Sequence, residues 1–162
     1  MSYELFYWMH IVAYISWLLA FAGSLFYGYK IRLEEDAVKK RKYMRSERLI
    51  TSIGAHIGAL GILISGWMMT SMPGGPRWGW FSVQLYPWLA LKQLLFIVIL
   101  VMIGFSVKRN LIFKKRLKQE EGNVLGKDTS EKWAKAFRMS LSVYILVVLN
   151  TILGLTRPLL AF

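Results

Sequence analysis

Four stretches of this 162-residue chain carry at most one charge each: Leu5 to Tyr29, Leu49 to Met72, Pro87 to Val107 and Met139 to Leu160. They are 21 to 25 residues long. About 20 apolar residues rising about 1.5 Å each cross a hydrocarbon core of about 30 Å, so every stretch can span a bilayer once. The expected fold is therefore all-α: an integral membrane four-helix bundle with antiparallel neighbours, forming one domain over residues 1–162. The first stretch is too long and aromatic for a secretory h-region, follows an acid (Glu4) and lacks a small-residue cleavage site, so it is expected to stay in the mature chain.

The composition is 56% hydrophobic, yet 21 Lys and Arg against 9 Asp and Glu give a net charge of +12. Apolar bulk and basic charge must then occupy different parts of the chain, unlike a nucleic-acid module that spreads its cations over a folded surface. Eight basic residues fall between Lys30 and Arg48 and ten between Lys108 and Arg138, whereas the connection from Pro73 to Tyr86 holds only Arg77. The positive-inside rule predicts an N-out, C-out arrangement with both basic connections cytosolic and facing anionic lipid. Trp78, Trp80, Phe81, Tyr86 and Trp88 suit the middle connection to a membrane–water boundary, as a short lid on the outer surface. Asp128 with Glu131 reads as a variant capping box opening the last helix. The absence of cysteine removes disulfides, thiolate metal sites, iron–sulfur clusters and a Cys nucleophile. No HExxH or phosphate-cradling glycine loop is present.

An ionisable side chain at mid-depth in a bilayer costs at least about 2.5–3.5 kcal/mol unless paired or snorkelling. Four such residues lie within the spans: His10, His56, Lys92 and Arg157. Alternating helix directions place His10, Lys92 and Arg157 at one level, roughly 5–8 Å beneath the outer face, with Met68 and Met69 close to it. A pocket lined by His, Lys and Arg without a carboxylate suits an anionic ligand that also needs a metal ligand or proton acceptor. A heme fits both needs, its iron taking an axial His and its propionates taking cations. His10 and His56 are the candidate metal ligands, and His10, His56, Lys92, Arg157 and Met68 the candidate cofactor contacts. His56 lies about 12 Å deeper than His10, which disfavours one bis-His heme and leaves two tetrapyrroles, or one heme with the other His in a helix–helix hydrogen bond. Gly54, Gly58, Gly61 and Ser65 form a small-residue stripe opposite His56 that suits close helix packing.

Trp8-Met9-His10-Ile11-Val12-Ala13 with Trp17 and Leu25-Phe26-Tyr27, Glu47-Arg48-Leu49, Gly66-Trp67-Met68, Trp88-Leu89-Ala90-Leu91-Lys92 and Arg157-Pro158 follow in an order and spacing that runs over most of the chain. In these residues the sequence resembles the HemJ-type protoporphyrinogen IX oxidases and the wider CopD-like group of small membrane proteins. The resemblance implies a helical bundle in the bacterial cytoplasmic (inner) membrane that binds b-type heme (heme b, one or two copies) and oxidises a porphyrinogen, with electrons passed to quinone or another acceptor. His10 would carry over as heme ligand and Lys92 as a functional cation. Arg157-Pro158 stands where the family has Lys-Pro, which makes Lys92 and Arg157 the candidate catalytic pair. The chain departs from the family at Ile103-Gly104-Phe105-Ser106, where a His-bearing segment is expected, and at Gly54-Ala55-His56 in place of a Pro-Ala stretch. A non-catalytic heme- or pigment-binding subunit of a larger membrane redox complex, or a homo-oligomer, is the alternative. Copper handling ranks last, because Met68, Met69 and Met72 cluster at one end instead of lining a path.

Overall fold

Four helices make up nearly all of residues 2–72, 80–119 and 125–156, the parts that the computed structural model describes: α1 (Tyr3–Leu33), α2 (Ala37–Ser71), α3 (Pro87–Gln119) and α4 (Lys127–Leu155). Each is long and apolar enough to cross a membrane. The chain is an all-α four-helix bundle of the multi-pass membrane type.

The helices outrun the apolar stretches, and they do so at one end. That end, the basic end, carries the α1–α2 turn and the approach to the α3–α4 connection; the opposite, aromatic end carries Trp67 and Trp80. Residues expected to form basic connections are instead helical from Ala37 and to Gln119, while α4 opens at Lys127, one residue from the start expected at Asp128. The reason lies in the apolar residues among the charges. Phe113 with Leu117 and Trp133 with Phe137 are i,i+4 pairs that share a helix face. They pack with Ile31 and Met44 into a core beyond the apolar spans, where Trp133 stacks on Phe137 at 5.1 Å.

Only three residues join α1 to α2. Asp36 caps α2 by accepting from the backbone N–H groups of Val38 (2.8 Å) and Lys39 (3.4 Å), which satisfies donors that have no partner within the helix. The capping box expected at Asp128 and Glu131 does not form. Gly126 precedes the helix there, and Asp128 sits in its first turn, accepting from Lys132 at 2.6 Å with Arg116 at 3.9 Å. Lys132 chiefly, and then the charges of Arg116 and Lys135, hold this exposed carboxyl below the usual carboxylate range. Pro87 opens α3, at the one helical position where its missing N–H costs nothing. Just before it, Phe81 adopts a left-handed backbone (φ 50°) and donates its N–H to Gln93 Oε1 at 2.8 Å. Trp80 meets Trp67 edge-on at 6.1 Å, so residues 80–81 of the middle connection fold back on α2 and α3. Residues 73–79 of the expected lid lie outside the described residues.

Packing divides the bundle into two hairpins, α1 with α2 and α3 with α4, which share far less surface with each other than within themselves. The α1–α2 seam is made by the small-residue stripe. A Cβ at Gly54 would fall 2.1 Å from the Ala20 Cβ, and one at Gly58 would fall 2.7 Å from the Trp17 ring. The helices are thus closer than any larger residue permits. Tyr14, Trp17, Ile62, Ile99, Val143 and Val147 form the central core. α3 turns most of its apolar surface outward, and Leu94, Val98, Val101 and Phe105 stand exposed along it for lipid to cover.

Candidate functional site

All four helices contribute to a polar cluster near the aromatic end. Tyr14, buried on α1, is its centre. His10 lies one turn away with its ring 5.1 Å from that of Tyr14, and its Nδ1 is 2.8 Å from Ser65 Oγ on α2. The Ser65 hydroxyl donates its proton to the Gly61 carbonyl at 2.5 Å. With its proton on that carbonyl the hydroxyl faces the imidazole as an acceptor, which favours the Nδ1–H tautomer and leaves the Nε2 lone pair without a partner among the described residues. A Cβ at Gly66 would stand 3.7 Å from His10 Cε1, so that edge of the ring is uncrowded.

Lys92 reaches the same centre from α3, its Nζ 5.3 Å from the Tyr14 ring centroid. It does not snorkel: the ammonium occupies the space that a side chain at Gly154 would fill, 2.8 Å from that Cβ position. No carboxylate pairs with it among the described residues. From α4, Asn150 Nδ2 donates to the Tyr14 hydroxyl at 3.0 Å, while Asn150 Oδ1 is buried without a partner among the described residues. The cluster thus presents a lone pair on His10, a positive charge on Lys92 and an unfilled acceptor on Asn150.

The other sequence candidates fall elsewhere. His56 is exposed on the face of α2 away from the glycine stripe, with Nδ1 2.5 Å from the carbonyl oxygen of Ser52 on its own helix. It lies nine residues from Ser65, hence about 13 Å along the axis from His10, and the two histidines share no site. Met68 is half-buried one turn beyond Ser65, and the α2 residue on His10 is Ser65. Arg157 lies outside the described residues. Among the described residues no three of His, Asp and Glu gather as a metal site. One heme held through Nε2 of His10 fits the donor set, with Lys92 for its carboxylates; a bis-His heme on His10 and His56 does not.

A second polar cluster, which sequence reasoning passed over, lies toward the basic end. Glu47 and Arg48 are adjacent on α2 and both buried, at 0% and 2% exposure. Arg48 holds the Glu47 carboxylate through Nε and Nη2. The same carboxylate accepts from Ser24 on α1 (2.7 Å), Thr51 (3.0 Å) and Trp133 Nε1 on α4 (3.1 Å). Arg48 Nη1 donates to Ser140 at 3.2 Å, and Ser106 of α3 lies 3.3 Å from Ser140. A buried charge pair survives when its remaining hydrogen-bonding capacity is filled, as here. The signal was in the sequence: Met44, Glu47, Thr51, Gly54 and Gly58 share the stripe of α2 that packs inward, and Glu47 precedes the apolar stretch by only two positions.

No protein-family profile, curated protein or solved structure matches this chain.

Proposed function

We propose that the chain is a membrane oxidoreductase that binds b-type heme near its aromatic end, resembling the HemJ-type protoporphyrinogen oxidases, with that end facing outward from a bacterial cytoplasmic membrane. One observation carries the reading: among the described residues, an inward-turned Lys92 ammonium has no carboxylate and lies level with a His10 whose Nε2 has no partner. Desolvated cations are stable when they meet an anion, and a lone imidazole nitrogen beside one asks for a metal or a proton. A tetrapyrrole brings both a metal and carboxylates. When bound, heme supplies one-electron redox chemistry.

The chain's own residues do the rest. Ser65 holds the imidazole in the tautomer that exposes Nε2, as outer hydrogen-bond partners of metal-binding histidines do. Lys92 binds a carboxylate of the tetrapyrrole or of the substrate, and Tyr14 and Asn150 keep that cation and the imidazole at one level. The absorption spectrum of the purified protein, oxidised and then dithionite-reduced, tests the reading: the expected result is a b-type signal that His10→Ala abolishes and His56→Ala preserves. A protein purified from heme-replete cells without a Soret band, or a signal unchanged by His10→Ala, would overturn it.

A further inference from the structure

Arg48 of the buried Glu47–Arg48 pair lines a cavity of about 30 Å³ where α2 faces α3, closed on the inside by Trp17 of α1 and by Ser140, Val143 and Tyr144 of α4. Three residues that line it carry a buried polar atom with no hydrogen-bond partner among the described residues: Trp17 Nε1, Asn110 Oδ1 and the Tyr144 hydroxyl. Trp17 and Tyr144 are 1% and 2% exposed. Three unpaired groups around one cavity are a coincidence that a dry core does not tolerate, since each costs about 1–3 kcal/mol. Their chemistry is mixed: a donor on Trp17, an acceptor on Asn110 and a hydroxyl that is both. A single anion or cation would satisfy only part of that set. Water satisfies all of it, and the volume holds one or two molecules, given that one water needs about 10–15 Å³ of such space.

The cavity continues along one face of each helix. On α2 its lining runs from Arg48 through Ser52 to His56, and on α3 from Asn110 through Ser106 to Ile103. Asn110 lies beside the basic Lys108 and Arg109, so the polar end of this crevice meets the basic surface. His56, otherwise a polar side chain facing lipid, stands at its far margin. We infer that the face between α2 and α3 is a water-filled crevice that carries solvent from the basic end to the buried Glu47–Arg48 pair and Tyr144, a route by which protons can reach a charged group inside the membrane. It requires no heme and stands apart from the functional proposal.

The cysteine-free sequence makes the test direct. Ser52→Cys and Ser106→Cys place a thiol on the crevice wall, and Ile53→Cys and Phe105→Cys place one at the same depth on exposed lipid-facing surface. The full-length variants, in liposomes, are treated with a trimethylammonium methanethiosulfonate. Only the thiolate reacts, and neither it nor the charged reagent forms or enters in hydrocarbon, so the crevice thiols should react at least about tenfold faster than the controls. Equal rates at crevice and control positions in correctly folded protein would show that lipid or protein fills the crevice and would overturn the inference. Two positions on two helices keep the test valid if one variant fails to fold.

Discussion

The two polar clusters of this bundle are built on opposite principles. Toward the basic end Glu47 and Arg48 neutralise each other, and Ser24, Thr51, Trp133 and Ser140 fill the remaining bonds. Toward the aromatic end, among the described residues, Lys92 has no acid, Asn150 Oδ1 has no donor and His10 keeps a free nitrogen. The first cluster is complete within the chain, and removing a part of it removes fold. The second keeps open capacity among the described residues, and on the function proposed above removing a part of it removes a ligand. Burial of charge alone does not separate structure from function in a membrane interior; the balance of charge and of hydrogen bonds does.

The comparison breaks first, and hardest, at Arg48. Arg48→Met strands the Glu47 carboxylate in the core and should cost about 3–5 kcal/mol, read as a lowered unfolding midpoint in detergent. Adding Glu47→Leu to that variant should restore part of the loss, because the hydroxyls released can bond the carbonyl four residues back, as Ser140 already bonds Ala136, while Trp133 Nε1 loses its acceptor. A double variant as unstable as the single one would mean that the pair does more than cancel itself. At the aromatic end the signs reverse. Lys92→Gln should leave the unfolding midpoint in place while heme retention falls roughly ten- to a hundredfold, the worth of one charge-assisted hydrogen bond of about 1.5–3 kcal/mol. A parallel drop in midpoint without loss of heme would turn Lys92 into a packing residue.

Smaller effects sharpen the boundary. Tyr14→Phe removes the acceptor of Asn150 Nδ2 and should cost about 1 kcal/mol of stability, with heme retained at lower affinity because Lys92 and His10 keep their helices. Asp128 should give the smallest change. Its carboxyl titrates below the usual range because of Lys132 first and Arg116 and Lys135 after it. Its contribution is therefore present above the ordinary carboxylate pKa and fades as pH falls through the lower folded value. Asp128→Asn should leave the midpoint at neutral pH and moderate salt within error and flatten only the acid limb of a stability–pH curve.

The four spans, the antiparallel order and the role of the glycine stripe could be read from the sequence, because lipid leaves few ways to arrange uncharged stretches of that length. The level shared by His10 and Lys92 was readable for the same reason: rise per residue converts position into depth. The basic ends of α2 and α3 were not, although the start of α4 was read to within one residue. Charged surroundings concealed the i,i+4 pairs Phe113–Leu117 and Trp133–Phe137, whose partners Ile31 and Met44 come from other helices. Glu47 and Arg48 were missed because a charge at the edge of an apolar run reads as its boundary, and only the bonds from Ser24, Trp133 and Ser140 place it inside. His56 drew attention by residue type, while the face it occupies, opposite Gly54 and Gly58, pointed outward from the start.

The seam between α1 and α2 bears on how the molecule is put together. Gly54 and Gly58 let the first hairpin close on Ala20 and Trp17 using its own residues, so it can zip up as soon as both strands of the hairpin have left the ribosome. Ser24 and Thr51 are already within that hairpin to receive Glu47, but Trp133 and Ser140 arrive only with α4. The Glu47–Arg48 pair then completes its bonds when the second hairpin docks in one particular register, and a slipped partner would leave a carboxylate and a guanidinium short of donors and acceptors in the bilayer. Correct pairing of the two halves is thereby checked late in biogenesis, by a polar lock that the first half carries open into the membrane.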